Sequence, residues 1–124
     1  MKPLPLNGPL RVAAYCRVST DKEDQLNSLS AQRQFFQKYI TEHPGWSLVR
    51  VFADEGLSGT SIKRRPQFAE MISRALDGEI DLIITKEVSR FARNTVDTLQ
   101  VTRKLKEKGV GVLFLNDNID TRDN

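Results

Sequence analysis

The sequence predicts an α/β fold in three layers, with a mostly parallel central sheet of four to five strands flanked by helices. Three observations lead there. Short apolar runs recur at residues 10–16, 48–52, 80–85 and 110–115. The segments between them carry apolar residues at helical spacing, and strands alternating with helices imply parallel pairing through crossovers. The runs are apolar almost throughout rather than alternating, as strands covered on both faces require.

Taken in order, residues 1–9 carry three prolines and read as a flexible N-terminal segment, with 10–124 as the folded domain. The first strand, 10–16, gives way at Thr20 to a polar, charged loop through Asn27. From Leu29 the residues Phe36 and Ile40 recur at helical spacing, with Phe35 and Tyr39 broadening the stripe, until His43-Pro44-Gly45 stops it. A second strand at 48–52 precedes a stretch of glycines and small polar residues, 53–61, that reads as a long flexible loop. Pro66 suits a first helical turn, and Phe68, Met71, Ile72, Ala75 and Leu76 supply an apolar face before Asp77-Gly78 ends it. The third strand is 80–85. Val96, Leu99, Thr102 and Leu105 or Lys106 continue a helical pattern to Gly109, and 110–115 is the fourth strand.

Composition limits the function. With 124 residues, 39% of them hydrophobic, the chain supports one core and hence one domain. Cys16 is the sole cysteine and His43 the sole histidine, so neither an internal disulfide nor a zinc site is expected. No apolar run approaches a membrane span and no signal-peptide core is evident, which points to a cytoplasmic protein without membrane contact. A formal charge of +3 is too mild to establish nucleic-acid binding by itself.

The positions of the arginines are more telling. Sheets of this kind place their chemistry at the carboxyl ends of the strands, and Ser19, Asp54 and Lys86 all follow predicted strands directly. If the strand continues past Cys16, its period of two sets Arg17 beside Ser19. A serine usually needs a histidine base, yet His43 lies at a helix end with no sign of a triad. Phosphoryl transfer has a different requirement, which is neutralisation of charge on phosphate oxygens, and guanidinium forks match those oxygens. Arg17, Arg65, Arg90 and Arg93 can surround one phosphate in place of a metal ion; Arg90 and Arg93 are one helical turn apart, and Arg64 and Arg65 precede the second helix. Each residue alone also has a plainer role. Ser19 suits a cap or turn, Arg90 and Arg93 a solvated face, Arg64 and Arg65 a soluble loop, and Asp54-Glu55 turn chemistry as readily as acid–base work. Cys16 fits a small buried hydrophobe, and Arg103, Lys104, Lys106 and Lys108 an exposed face.

Five motifs in order bring these residues together: Tyr15-x-Arg17-Val18-Ser19-Thr20, Ser28-Leu29-x-x-Gln32, Phe52-x-Asp54-x-Gly56-x-Ser58-Gly59, Arg64-Arg65-Pro66-x-Phe68 and Ser89-Arg90-Phe91-x-Arg93-Asn94. Together they resemble the catalytic domain of serine site-specific recombinases, the resolvase and invertase superfamily, over residues 11–120. The acidic stretch Asp21-Lys22-Glu23-Asp24 and the last motif look most like the large branch of transposon and phage integrases.

The resemblance implies a resolvase-like, Rossmann-like sheet and a bacterial, phage or mobile-element origin. It implies that Ser19 attacks a DNA phosphodiester to form a 5′-phosphoserine link, with Arg17, Arg65, Arg90 and Arg93 on the scissile phosphate. Tyr15, Gln32 and Asp54 match supporting positions. No nucleotide cofactor or metal is expected, since bond energy is conserved. Resolvases and invertases carry an aspartate where this chain has Ser89, which leaves the general acid open between Arg90 and a water. Family members dimerise and form tetramers on DNA through a long helix that lies beyond Asn124 in the family pattern. The chain is therefore expected to be an isolated, monomeric catalytic domain with mobile loops at 19–27 and 55–65. Two other classes compete: a nucleotide- or phosphate-binding regulatory module, although no Gly-rich dinucleotide turn or P-loop is present, and an inert DNA-associated interaction domain.

Overall fold

The computed structural model describes residues 9–19, 29–56, 66–86 and 95–122. Eight elements follow one another: β1 (Leu10–Ser19), α1 (Leu29–Thr41), β2 (Trp46–Gly56), α2 (Pro66–Leu76), β3 (Leu82–Thr85), α3 (Thr95–Glu107), β4 (Gly111–Phe114) and β5 (Ile119–Asp120). The sheet order is β2-β1-β3-β4-β5, with β1 to β4 parallel and β5 antiparallel to β4. The expected α/β layering and mostly parallel sheet are therefore present.

β2 starts two residues earlier than read, at Trp46, and β3 and β4 are shorter, Leu82–Thr85 and Gly111–Phe114. The larger differences, at the carboxyl ends of β1 and β2, have one reason. β1 runs to Ser19 and β2 to Gly56, three and four residues further than apolar content suggests, because the two strands pair continuously up to Ser19↔Gly56. Backbone pairing does not need apolar side chains. Residues 53–56, read as loop, are thus strand, as are Ser19, Glu55 and Gly56 at the edges of the expected mobile loops. The segments 1–8, 20–28, 57–65, 87–94 and 123–124 lie outside the described residues, and with them most of both loops and of the N-terminal segment.

β1 is covered on both faces, as its continuous apolar run requires: Val12 to Cys16 are all buried. On one face Val12, Ala14, Cys16, Leu82 and Ile84 pack against Phe36 and Ile40 of α1. On the other Ala13, Tyr15, Phe52, Ile83, Val112 and Phe114 pack against Met71 and Ala75 of α2 and Leu105 of α3. Phe35 and Leu99, counted in the helical stripes, are exposed, because the buried stripes run through Phe36–Ile40 and Val101–Leu105 instead. Gly78 and Gly109 close α2 and α3 with φ of 88° and 81°, a left-handed conformation that glycine adopts without strain.

A buried aspartate that the sequence did not single out ties the amino end of the sheet together. The Asp81 carboxylate accepts from the Arg11 backbone N–H at 2.9 Å and from its guanidinium at 3.0 Å, while the Asp81 carbonyl accepts from the Gly111 N–H. β1, β3 and β4 are thereby joined at one residue. Among the described residues no helix is long and apolar enough to cross a membrane.

One buried side-chain polar atom among the described residues has no hydrogen-bond partner, the Thr85 hydroxyl at the end of β3. Thr85→Val keeps the shape and removes that group, so it should raise stability by about 1 kcal/mol in thermal or denaturant unfolding. The Arg122 guanidinium, hydrogen-bonded to Asp120, holds its carboxyl below the usual carboxylate range. The pair's contribution is complete above the ordinary carboxylate pKa and is lost as pH falls through the lowered one. Asp120→Asn should therefore lower stability at neutral and alkaline pH, where the pair is charged, and change little once pH falls below the lowered pKa, which flattens the acid limb of the stability–pH profile.

Candidate functional site

The chain crosses from β1 through α1 to β2 on one side, then returns through α2 to β3 on the other. The carboxyl end of β1 is therefore the point where the winding reverses and a crevice opens between neighbouring loops. Ser19 is the last residue of that strand. Arg17 pairs with Asp54 and Ser19 with Gly56 in the β1–β2 register.

Asp54 is the best-defined functional candidate. It is 5% exposed, and its carboxylate is bound from two other elements. The Tyr15 hydroxyl of β1 donates to Oδ2 at 2.8 Å, and the backbone N–H groups of Gln67 and Phe68 in α2 donate to Oδ1 and Oδ2, each at 3.0 Å. The Phe68 ring meets the Tyr15 ring edge-on, with centroids 5.1 Å apart. Asp54 is thus the N-cap of α2, supplied from a strand rather than from the residue before the helix. The sequence contains a signal for this: Arg65-Pro66 opens the helix with no Ser, Thr, Asp or Asn immediately ahead, so the unpaired N–H groups of the first turn need a remote acceptor.

How Asp54 comes to face α2 depends on an irregularity. The β1–β2 register shifts between Val12↔Leu48 and Ala13↔Arg50, leaving Val49 as an extra residue on β2. Before the bulge Trp46 and Leu48 face α1; after it Val51 and Ala53 do, and Phe52 turns to α2. Without that one residue the alternation would send Asp54 to the α1 face. Arg50, just past the bulge, donates to the Gln67 side chain at 3.2 Å and lies 4.2 Å over the Phe52 ring, bracing the same helix start.

These contacts decide between two readings of Asp54. Both carboxylate oxygens are engaged by protein donors, so the residue is built to hold α2 against the strands, neither a turn residue nor a free acid. The positive end of α2 is satisfied by Asp54 as well, which leaves fixed cations rather than helix amides to meet an anion here.

Of the nine residues singled out from sequence, the structure joins Tyr15 and Asp54 directly and places Arg17 and Ser19 beside them in the strand register. Gln32 is buried on α1, one turn before Phe36, which packs on the α1 face of the sheet. Arg65, Ser89, Arg90 and Arg93 lie outside the described residues. Cys16 is buried on the α1 face as a small hydrophobe, its thiol 3.9 Å from the Phe52 carbonyl. His43 stacks on Trp46 at 3.5 Å where α1 turns into β2, at the end of the sheet opposite Ser19, so the chain's one histidine is not placed to serve as its base.

The family model for the resolvase N-terminal domain matches residues 12–124. Among curated relatives, the chain is 30% identical over 112 residues to the transposon Tn3 resolvase of Escherichia coli, covering 90% of this chain and 54% of the relative. It is 32% identical over 111 residues to a resolvase of Clostridium perfringens (strain 13 / Type A), covering 89% and 52%. The chain spans about half the length of the curated relatives it matches. Among solved structures it is similar to a resolvase family site-specific recombinase from Streptococcus pneumoniae, with TM-score 0.75 and 30% identity over 93% of this chain and 78% of that one. It is also similar to the N-terminal catalytic domain of TP901-1 integrase, with TM-score 0.74 and 27% identity over 91% and 82%.

Asp54→Asn replaces one acceptor oxygen with an amide that faces N–H or O–H donors. It should cost about 2 kcal/mol of stability, whereas Tyr15→Phe, which removes one donor of three, should cost about 1 kcal/mol; chemical denaturation of both variants checks the order.

Proposed function

The chain belongs to the resolvase N-terminal domain family, and on that premise we propose that it is the catalytic domain of a site-specific DNA recombinase with Ser19 as nucleophile. Ser19 Oγ bonds to the phosphorus of a DNA phosphodiester as the bond to the 3′-oxygen breaks. The serine gives up its proton, the leaving oxygen gains one, and the strand is held as a 5′-phosphoserine with a free 3′-hydroxyl. Attack by a 3′-hydroxyl on the phosphoserine reverses the step and frees Ser19, so the number of phosphoester bonds is unchanged and no external energy source is consumed.

Arg17, Arg65, Arg90 and Arg93 act on the scissile phosphate, where guanidinium groups neutralise charge on the non-bridging oxygens and fix the phosphorus in line. The observation that carries this reading is the Asp54 contact set. It fixes the strand pair that carries Arg17 and Ser19 against the helix whose first residue directly follows Arg65. Tyr15 and Asp54 are positioning residues here, and Gln32 of α1 is a supporting residue. Exchange between two duplexes requires several copies of the domain, so the working form is a dimer or tetramer on DNA.

Ser19→Ala should retain DNA binding and form no covalent protein–DNA adduct, read as loss of the shifted band after denaturing electrophoresis. An adduct of undiminished yield from that variant would remove Ser19 from its role.

A further inference from the structure

Lys86 directly follows β3, at the end of the sheet where β1 also finishes. Its backbone is fixed by the Asn116 N–H, which donates to the Lys86 carbonyl at 2.7 Å. Its ammonium lies 5.0 Å from the centroid of the Phe35 ring on α1. Phe35 is held in turn by Tyr39, stacked at 5.8 Å, and by Phe36, edge-on at 5.2 Å. Among the described residues no carboxylate pairs with Lys86.

That combination has a physical consequence. An aromatic face attracts an ammonium without neutralising it, and it orders a long stem that would otherwise sample many rotamers. Ion pairing with a carboxylate would have cancelled the charge. Lys86 is thus a pre-oriented positive charge, partly exposed at the surface.

Its location is also specific. The β1–β3 register pairs Ala14 with Ile84, so two residues on Lys86 is level with Cys16, three positions short of Ser19. At about 3.3 Å per residue the offset is about 10 Å, a span that covers about three phosphates at 3.4 Å of helix axis each. Lys86 continues the parity of Leu82 and Ile84, which face α1, whereas Tyr15 faces α2.

We infer that Lys86 is a DNA-backbone contact, binding a phosphate near the scissile one from the α1 side of the sheet with Phe35 as its seat. This rests on the recombinase reading and extends it with a ring-seated lysine on the α1 face of the sheet.

The test is the salt dependence of binding to a duplex of arbitrary sequence, using the full gene-encoded protein. Lys86→Gln should weaken binding uniformly across sequences and reduce the slope of log K against log salt by about 0.9, the value for one phosphate contact, while Lys86→Arg keeps the wild-type slope. Among the described residues the side chain makes no hydrogen bond, and a merely structural role would leave the slope unchanged. A Lys86→Gln slope equal to wild type, in a protein that still forms the Ser19 adduct, overturns the contact and leaves the recombinase reading standing. A wild-type protein that binds duplex DNA without salt dependence overturns both.

Discussion

The Asp54 carboxylate is held by one phenol and two helix amides, and the carboxyl end of the sheet is organised around that contact. Hydrogen bonds to a charged acceptor are each worth about 1.5–3 kcal/mol, well above an ordinary neutral pair. Their effect is geometric as much as energetic. A local cap would fix only the first turn of α2, whereas a cap reaching from β2 fixes the helix relative to the sheet. Because Tyr15 shares the same carboxylate, β1 is included in the same rigid unit. The end of β1 and the start of α2 are therefore held together by one buried group.

The two ends of the sheet divide the labour. At the amino end, Asp81 ties β1, β3 and β4 with bonds to Arg11 and Gly111. At the carboxyl end, β1 finishes and Lys86 follows β3 with a charge that no carboxylate among the described residues matches. Each end has a buried aspartate, but the partners differ. Asp81 is matched by an arginine, while Asp54 is matched by a phenol and two helix amides.

Much of this was legible in the sequence. The apolar runs located the four parallel strands, since strands buried on both faces have no polar alternation to obscure them. Pro66, Gly78 and Gly109 marked helix ends by fixed backbone preference. Errors arose where pairing rather than hydrophobicity decided the structure. β1 and β2 extend through Arg17–Ser19 and Ala53–Gly56 because each satisfies the other's backbone, and no single-strand pattern reports that. Likewise Phe35 and Phe36 are indistinguishable as residue types, and only the packing of α1 on β1 shows which is core and which is a seat for Lys86.

By itself the sequence determined the α/β class, the family and the identity of the candidate nucleophile, because those rest on residue types and their spacing along the chain. The tertiary structure decided what surrounds Asp54. One extra residue at Val49 reverses the faces of every later position on β2, turning Asp54 from the α1 side to the helix that needs its cap. A bulge is a property of two strands in register, so no reading of either strand alone contains it.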